Sequence, residues 1–462
     1  MKLTFCGGAS TVTGSNFLVE TDEAKVLIDC GLEQGSDFSV PEMYGPFPYE
    51  PKSVDALIVT HAHLDHVGRI PKLVKEGFAG KIYSTPPTRD LAELILRDSA
   101  NILAADARRR NLPLLYEGKD IEATFARWQG VEYHEETEIK GGTSFYLRNT
   151  GHILGSASVR VRDGRTAVAL TGDLGNSPSP LLPDWEPVPD ADALLMESVY
   201  GDRLHPEMKD RVSQLLTALK DAFARGGTIL IPAFSLERTQ LMLYELSNFF
   251  AAKQLPEIPV YLDSPLAINV TALYEKWGPS YFKSQAQDEI KREGSIFEFP
   301  FLHKTRSPEE SEAIEKAPGQ KIIIAGAGMS HGGRIGRWEQ KYLPDPRTTL
   351  FIVGYQAPGS PGRRLQEGQK RVRLAGQMVE NNAKVESLEG WSAHADRDEL
   401  LKFAQDSLTA SNGRIKTIFT ALGEPSAERF LAQRIHDYLG ARAVVPAPGA
   451  TWEITSGAVR HI

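Results

Sequence analysis

The feature that most restricts how this chain can fold is the hexapeptide His61-Ala62-His63-Leu64-Asp65-His66, which follows directly on an apolar run at 54–60. Three imidazoles and a carboxylate fall within six positions of a chain that has only 11 histidines in 462 residues, a density with little chance of arising by accident. The 54–60 run is aliphatic and β-branched and has the length of a strand. In an extended segment, residues two apart point to the same side, so His61 and His63 are placed to grip one ion together. Asp65 and His66, where the chain turns into a helix, are placed to face a second. Imidazole and carboxylate without thiolate suit zinc and leave manganese or iron compatible.

The same arrangement recurs along the first 200 residues. Apolar runs at 25–28, 144–150, 166–172 and 193–196 end at Asp29, just before Gly151-His152, at Asp173 and at Glu197, with a helical stretch expected at 90–105. Such alternation predicts an α/β architecture whose polar residues collect past the C-terminal ends of strands, where α/β folds place their sites. His152 is then expected to complete the first ion's shell, Asp173 to bridge both ions, and Asp29 to orient a ligand from behind. A pair of ions acidifies water and clamps the oxygens of an in-line displacement at phosphorus.

Beyond residue 206 the pattern changes. Val212, Leu215, Leu216, Leu219 and Phe223 recur at helical spacing, and Gly226-Gly227 ends that helix. Strand-length runs at 228–231, 259–262, 321–325 and 349–353, with a helix near 238–250, predict an inserted parallel-sheet domain. The expected organisation is a first domain over 1–205, an inserted domain over 206–384 and a return segment over 385–462, the last with a strand at 415–420.

Cys6 and Cys30 are the only cysteines, which excludes a disulfide framework and a Cys-rich zinc module. No apolar run approaches bilayer-spanning length, and the first residues lack a signal-peptide pattern, so the expected location is the cytoplasm, without membrane contact. A net charge of −8 argues mildly against a nucleic-acid partner. The cations, however, are concentrated. Arg363, Arg364, Lys370, Arg371 and Arg373 fall within eleven residues, and Arg108-Arg109-Arg110 forms another cluster. The plainest account of each is a solvated basic face.

Further motifs extend across essentially the whole chain: Leu195-Met-Glu-Ser-Val-Tyr-Gly-Asp-Arg203, Pro232-Ala-Phe-Ser-Leu-Glu-Arg-Thr-Gln240, Tyr261-Leu-Asp-Ser-Pro-Leu-Ala267, Gly328-Met-Ser-His-Gly-Gly-Arg334, Gly354-Tyr-Gln-Ala-Pro-Gly-Ser-Pro-Gly-Arg-Arg364 and Ser392-Ala-His-Ala-Asp396. Together with the 61–66 cluster they resemble the β-CASP group of the metallo-β-lactamase superfamily, which includes the nuclease subunit of the mRNA cleavage and polyadenylation factor and its bacterial relatives. The resemblance implies a metallo-β-lactamase αββα sandwich with an inserted parallel-sheet β-CASP domain. It implies a metal-dependent nuclease, endonucleolytic or 5′-exonucleolytic, that hydrolyses single-stranded RNA in the groove between two domains. Two zinc ions and a homodimer are implied as well. Catalysis falls to Asp65, Glu197 and His394, with Glu197 holding His394 so that this histidine protonates the leaving oxygen.

The chain also departs from the family pattern. Where members acting on RNA carry a third histidine that ligates the second ion, this chain has Leu422, so a weaker second site is expected. Val199, Pro361 and Glu237 are further departures, and Glu237 is expected to put a negative charge near the phosphate path. The glycine-rich loop at 328–333 makes Ser330, His331 and Arg334 candidate phosphate contacts. Arg363 and Arg364 would extend that track. A DNA nuclease on the same scaffold, or a non-catalytic RNA-binding protein with a weakened second site, are the alternatives.

Overall fold

Apolar runs that end in polar residues become buried strands whose ends carry the polar groups. In the computed structural model, which describes residues 1–34, 40–206, 208–357, 359–388 and 390–462, the runs form strands Lys25–Ile28, Ala56–Ile58, Thr143–Asn149, Thr166–Leu170 and Ala193–Glu197. The 54–60 run yields only three strand residues. A 3-10 turn at Pro51–Ser53 precedes it, and Thr60 turns its N–H to the Asp29 carboxylate instead of to a neighbouring strand.

The chain divides into two units, each with its own core. One comprises Met1–Gln34, residues 40–204 and His394–Ile462; the other comprises His205–Ala393. The first holds an eight-stranded and a seven-stranded sheet. Leu3, Phe5, Ile28 and Ile58 of one pack against Phe145, Val159, Leu170 and Leu195 of the other in a single apolar layer. Each fully buried aliphatic side chain contributes roughly 1.5–3 kcal/mol to such a layer. On the outer face of the seven-stranded sheet, Ala169, Leu194 and Met196 meet Leu400, Phe403 and Leu431 of helices Arg397–Ala410 and Pro425–Leu439. Sheet on sheet with helices outside is the αββα sandwich.

The return segment completes both sheets. Thr417–Ala421 pairs in parallel with Ala193–Glu197, and Thr451–Ile454 pairs antiparallel with Lys2–Gly7. The expected helix at 90–105 runs over Pro86–Arg110, because the two prolines are tolerated in a first turn capped by Thr85. Asn111, in the left-handed conformation, ends it.

The second unit is built on a six-stranded sheet, Leu302–Lys304, Val260–Leu262, Ile322–Ala325, Ile229–Pro232, Thr349–Ile352 and Lys384–Ser387 in that spatial order, with every pairing parallel. Parallel neighbours need crossover connections, here supplied by helices such as Arg238–Ala251, Pro265–Tyr281 and Gly333–Tyr342. Residue 384, the expected end of the inserted domain, is instead the first residue of the sheet's edge strand. No described helix is long and apolar enough to cross a membrane.

Candidate metal centre

Asp29, at the end of its strand, is fully buried and surrounded by donors. Thr60 N–H donates to Oδ1 (2.8 Å), Ser15 Oγ donates to Oδ2 (2.9 Å), and Thr60 Oγ1 lies within hydrogen-bond distance of both oxygens. This network holds Oδ2 against His66 Nδ1 at 2.7 Å. His66 Nδ1–H therefore donates to Asp29, and its Nε2 faces the site. That nitrogen is buried without a hydrogen-bond partner, 3.4 Å from Asp173 Oδ1 and 3.9 Å from Asp65 Oδ2. Burial opposes charge on His66, but the Asp173 and Asp29 carboxylates outweigh it and hold the imidazolium well above the usual range. Surroundings that favour a proton on Nε2 favour any cation placed there. Gly31 makes the turn possible, since a Cβ there would lie 1.6 Å from the Asp65 carbonyl oxygen.

Beside it, His61 Nε2, His63 Nδ1, His152 Nε2 and an Asp173 oxygen all lie within 4.8 Å of one another. His63 Nδ1 is 3.1 Å from both other imidazole nitrogens, and Asp173 Oδ2 is 3.4 Å from His61 Nε2 and from His152 Nε2. Four donors at bonds of roughly 2.0–2.1 Å around a tetrahedral ion stand about 3.3 Å apart, which is the spacing found. Burial lowers the pKa of His61 and drives those of His63 and His152 well below the usual value, so all three offer lone pairs. For Asp173 burial acts the other way, but His66, His61 and His394 outweigh it and keep the carboxylate ionised. Three imidazole nitrogens and a carboxylate oxygen gathered at this spacing, with lone pairs available on neutral rings, fit a divalent cation.

Glu197 and His394 stand next to this cluster. Glu197 is fully buried; its Oε1 accepts from Leu174 N–H (2.6 Å) and lies 3.2 Å from His394 Nδ1. Burial raises the Glu197 pKa against the pull of His394. His394 Nδ1 is also 3.9 Å from Asp173 Oδ2, and its ring lies 4.6 Å from that of His152. Local bonding fixes the position of His394. Ala395 N–H donates to the Leu174 carbonyl, and Asp396 caps the next helix in a capping box with Glu399.

Leu422, at the position of the missing histidine, follows strand Thr417–Ala421 with φ +51° and is buried in the layer between the sheets. A Cβ on Gly8 would lie 2.7 Å from its Cδ2.

The second unit's candidates are placed differently from expectation. Ser330 is fully buried and its hydroxyl donates to Glu339 Oε1 (2.6 Å), so it braces its loop instead of facing solvent. Arg334 is engaged by Asp263 Oδ1 (2.5 Å) and by the carbonyls of Thr305 and Arg306. Arg363 pairs with Glu367 (2.7 Å), whereas Arg364 is exposed. The expectation for Glu237 fails. It is 2% exposed and accepts from Tyr274 Oη (2.7 Å), and burial pushes its pKa up to about 7, so it does not face a surface path as a solvated charge. Pro358, within the 354–364 motif, lies outside the described residues. Thr60 and Ser15, which hold Asp29, were not anticipated; the one sequence signal for Thr60 is its position immediately before His61.

Residues 10–233 match the Metallo-beta-lactamase superfamily, 239–365 the Beta-Casp domain and 378–446 the Zn-dependent metallo-hydrolase RNA specificity domain. The chain is 38% identical to Ribonuclease TTHA0252 of Thermus thermophilus over 88% of its own length and 91% of the relative's. The chain belongs to the β-CASP group of the metallo-β-lactamase superfamily. This β-CASP protein is also 34% identical to Transcription termination factor FttA of Methanosarcina mazei (95% of this chain, 69% of the relative). To an RNase J-like protein of Methanocaldococcus jannaschii it is 33% identical (87% and 88%). A crystal structure of a protein of unknown function from Enterococcus faecalis shares the fold, with a TM-score of 0.57 at 14% identity over 98% of this chain and 99% of that one. The superfamily fold and the donor cluster together mark a divalent-metal site.

Proposed function

We propose that this chain is a metal-dependent ribonuclease, acting in the cytoplasm on phosphodiester bonds of single-stranded RNA. The observation that carries this reading is the Glu197–His394 pair beside Asp173. A site that merely stored metal would have no use for a carboxylate-held histidine at its rim, whereas cleavage needs a proton donor for the leaving oxygen. Relatives named as ribonuclease, RNase J-like protein and transcription termination factor, with the match to an RNA specificity domain, support RNA over DNA.

His61, His63, His152 and Asp173 would hold the first ion; Asp65, His66 and Asp173 would hold a second, weaker one, because Leu422 supplies no donor. Zinc is the proposed metal, with manganese as an alternative occupant. When bound, the ions supply Lewis acidity at phosphorus and acidify water. The protein's own part is positional and protonic. Asp29 fixes the tautomer of His66 through Nδ1. Glu197, accepting a hydrogen bond from Nδ1–H of His394, favours its imidazolium form and leaves Nε2 to deliver a proton to the departing ribose oxygen.

The test is cleavage of matched single-stranded RNA and DNA oligonucleotides by the wild type, His63→Ala and His394→Ala. We expect RNA to be cut in preference to DNA, and His394→Ala to lower kcat roughly 10²- to 10⁴-fold while the ion content is retained. Cleavage of DNA but not RNA, or tight RNA binding without cleavage, would overturn the proposal.

A further inference from the structure

We propose that the outer face of a two-stranded ribbon in the second unit, Arg371–Leu374 paired with Gln377–Glu380, binds the phosphate backbone of single-stranded RNA. The choice of RNA rests on the ribonuclease reading; the choice of a polyanion rests on the ribbon itself.

The first strand of the ribbon alternates between exposed and buried residues, and the second buries Val379. Val372, Leu374 and Val379 are buried in the core with Ile335, Trp338 and Leu365. Arg371 and Arg373 are exposed on the opposite face, about 7 Å apart by strand geometry. The anchored face makes the ribbon a fixed mount for the backbone that carries these cations. Lys370 precedes the ribbon and is exposed. Arg364 is exposed on helix Pro361–Gln366, which packs against the first ribbon strand.

Their concentration on one ribbon sets these cations apart. Several exposed arginines elsewhere are neutralised by a neighbour, Arg97 by Glu93, Arg347 by Asp345 and Arg460 by Glu453, whereas Arg108, Arg165 and Arg429 are exposed with no ion pair among the described residues. Among the described residues, Arg364, Lys370 and Arg371 form no ion pair, and the hydrogen bond of Arg373 goes to the Gly376 carbonyl. Glu380 faces Arg371 across the ribbon without pairing with it. Residues 363–380 carry five cations against two carboxylates in a chain of net charge −8. A local excess of positive charge on an acidic protein fits a partner that brings the opposite charge. Spread along a ribbon instead of converging in a pocket, the charges suit an extended polyanion rather than a small anion. Met378, 49% exposed and opposite Arg373, adds an apolar contact for a base.

Charge at ribbon edges also prevents pairing with a second copy, and the experiment separates the two roles. Binding of a fluorescein-labelled oligouridylate is followed by anisotropy over a KCl series. Every protein carries His394→Ala so that the RNA survives. The combined variant Lys370→Gln, Arg371→Gln, Arg373→Gln is compared with Arg371→Gln alone and with Lys291→Gln, Arg292→Gln as a control elsewhere on the surface. We expect the triple variant to bind roughly tenfold more weakly at physiological salt, with its log–log salt slope shallower by about 2, and Arg371→Gln to fall between. An unchanged affinity and slope overturns the proposal. So does a triple variant that self-associates in sedimentation while its RNA affinity holds. A wild type that cuts RNA with no contribution from the ribbon refutes the ribbon alone. A protein that binds RNA through the ribbon while the wild type cuts none refutes the ribonuclease reading alone.

Discussion

At the scale of single residues, the candidate centre depends on groups that touch no substrate. Asp29 holds His66 by a 2.7 Å bond while Thr60 and Ser15 hold Asp29. Asp29→Asn keeps the shape but places an amide where His66 needs an acceptor that fixes its tautomer. Metal affinity is expected to fall 10- to 100-fold, measured by competition with a chromophoric chelator. Leu422 is the opposite case, a residue whose role is packing. Its side chain fills the space over Gly8 in the layer between the sheets, so Leu422→Ala should cost roughly 2–5 kcal/mol in denaturant unfolding. His61, His63 and Asp173 were legible from order and spacing, because donor type and strand periodicity are local properties. Thr60 and Ser15 were not, because a hydroxyl acquires its role only from what the fold sets beside it.

At the scale of elements, strands read well from apolar runs and their ends less well. The 54–60 run lost its last residue, Thr60, to the Asp29 carboxylate, a contact made from the end of another strand. The glycine-rich loop shows the same limit more sharply. Ser330 and Arg334 look like phosphate contacts in the sequence, yet in the fold one bonds Glu339 and the other Asp263. Glu339 is itself fully buried, and burial pushes its pKa up to about 8 against the Ser330 hydroxyl. In the unfolded chain this carboxyl titrates near 4.5, so between these values the folded protein keeps a proton that the unfolded chain has lost. This carboxyl's contribution to stability is therefore full below pH 4.5 and declines as pH rises toward 8. Glu339→Gln, which cannot ionise, should flatten the fall in Tm between pH 5 and 8 recorded by calorimetry; an equally steep fall would refute this account.

At the scale of the whole molecule, two cores imply two responses to metal. Every candidate ligand lies in the first unit. Zinc at about a thousand times its Kd should stabilise that unit by roughly 4 kcal/mol and leave the other's transition in place, so calorimetry with and without a chelator should move one transition only. Removing residues 394–462 should abolish the first unit's folding, since that segment supplies strands to both of its sheets. Solubility and circular dichroism of the truncated protein would check this.

The sequence by itself determined the α/β class, the alternation of elements and the donors at the ends of strands, all of which follow from neighbours along the chain. Only the tertiary structure decided that Thr60 and Ser15 hold Asp29, that the inserted domain keeps its strand at Lys384–Ser387, and that Glu237, Ser330 and Arg334 are engaged by Tyr274, Glu339 and Asp263. Burial and long-range pairing are set by the competition of all segments for one core, and no local stretch of sequence carries that outcome.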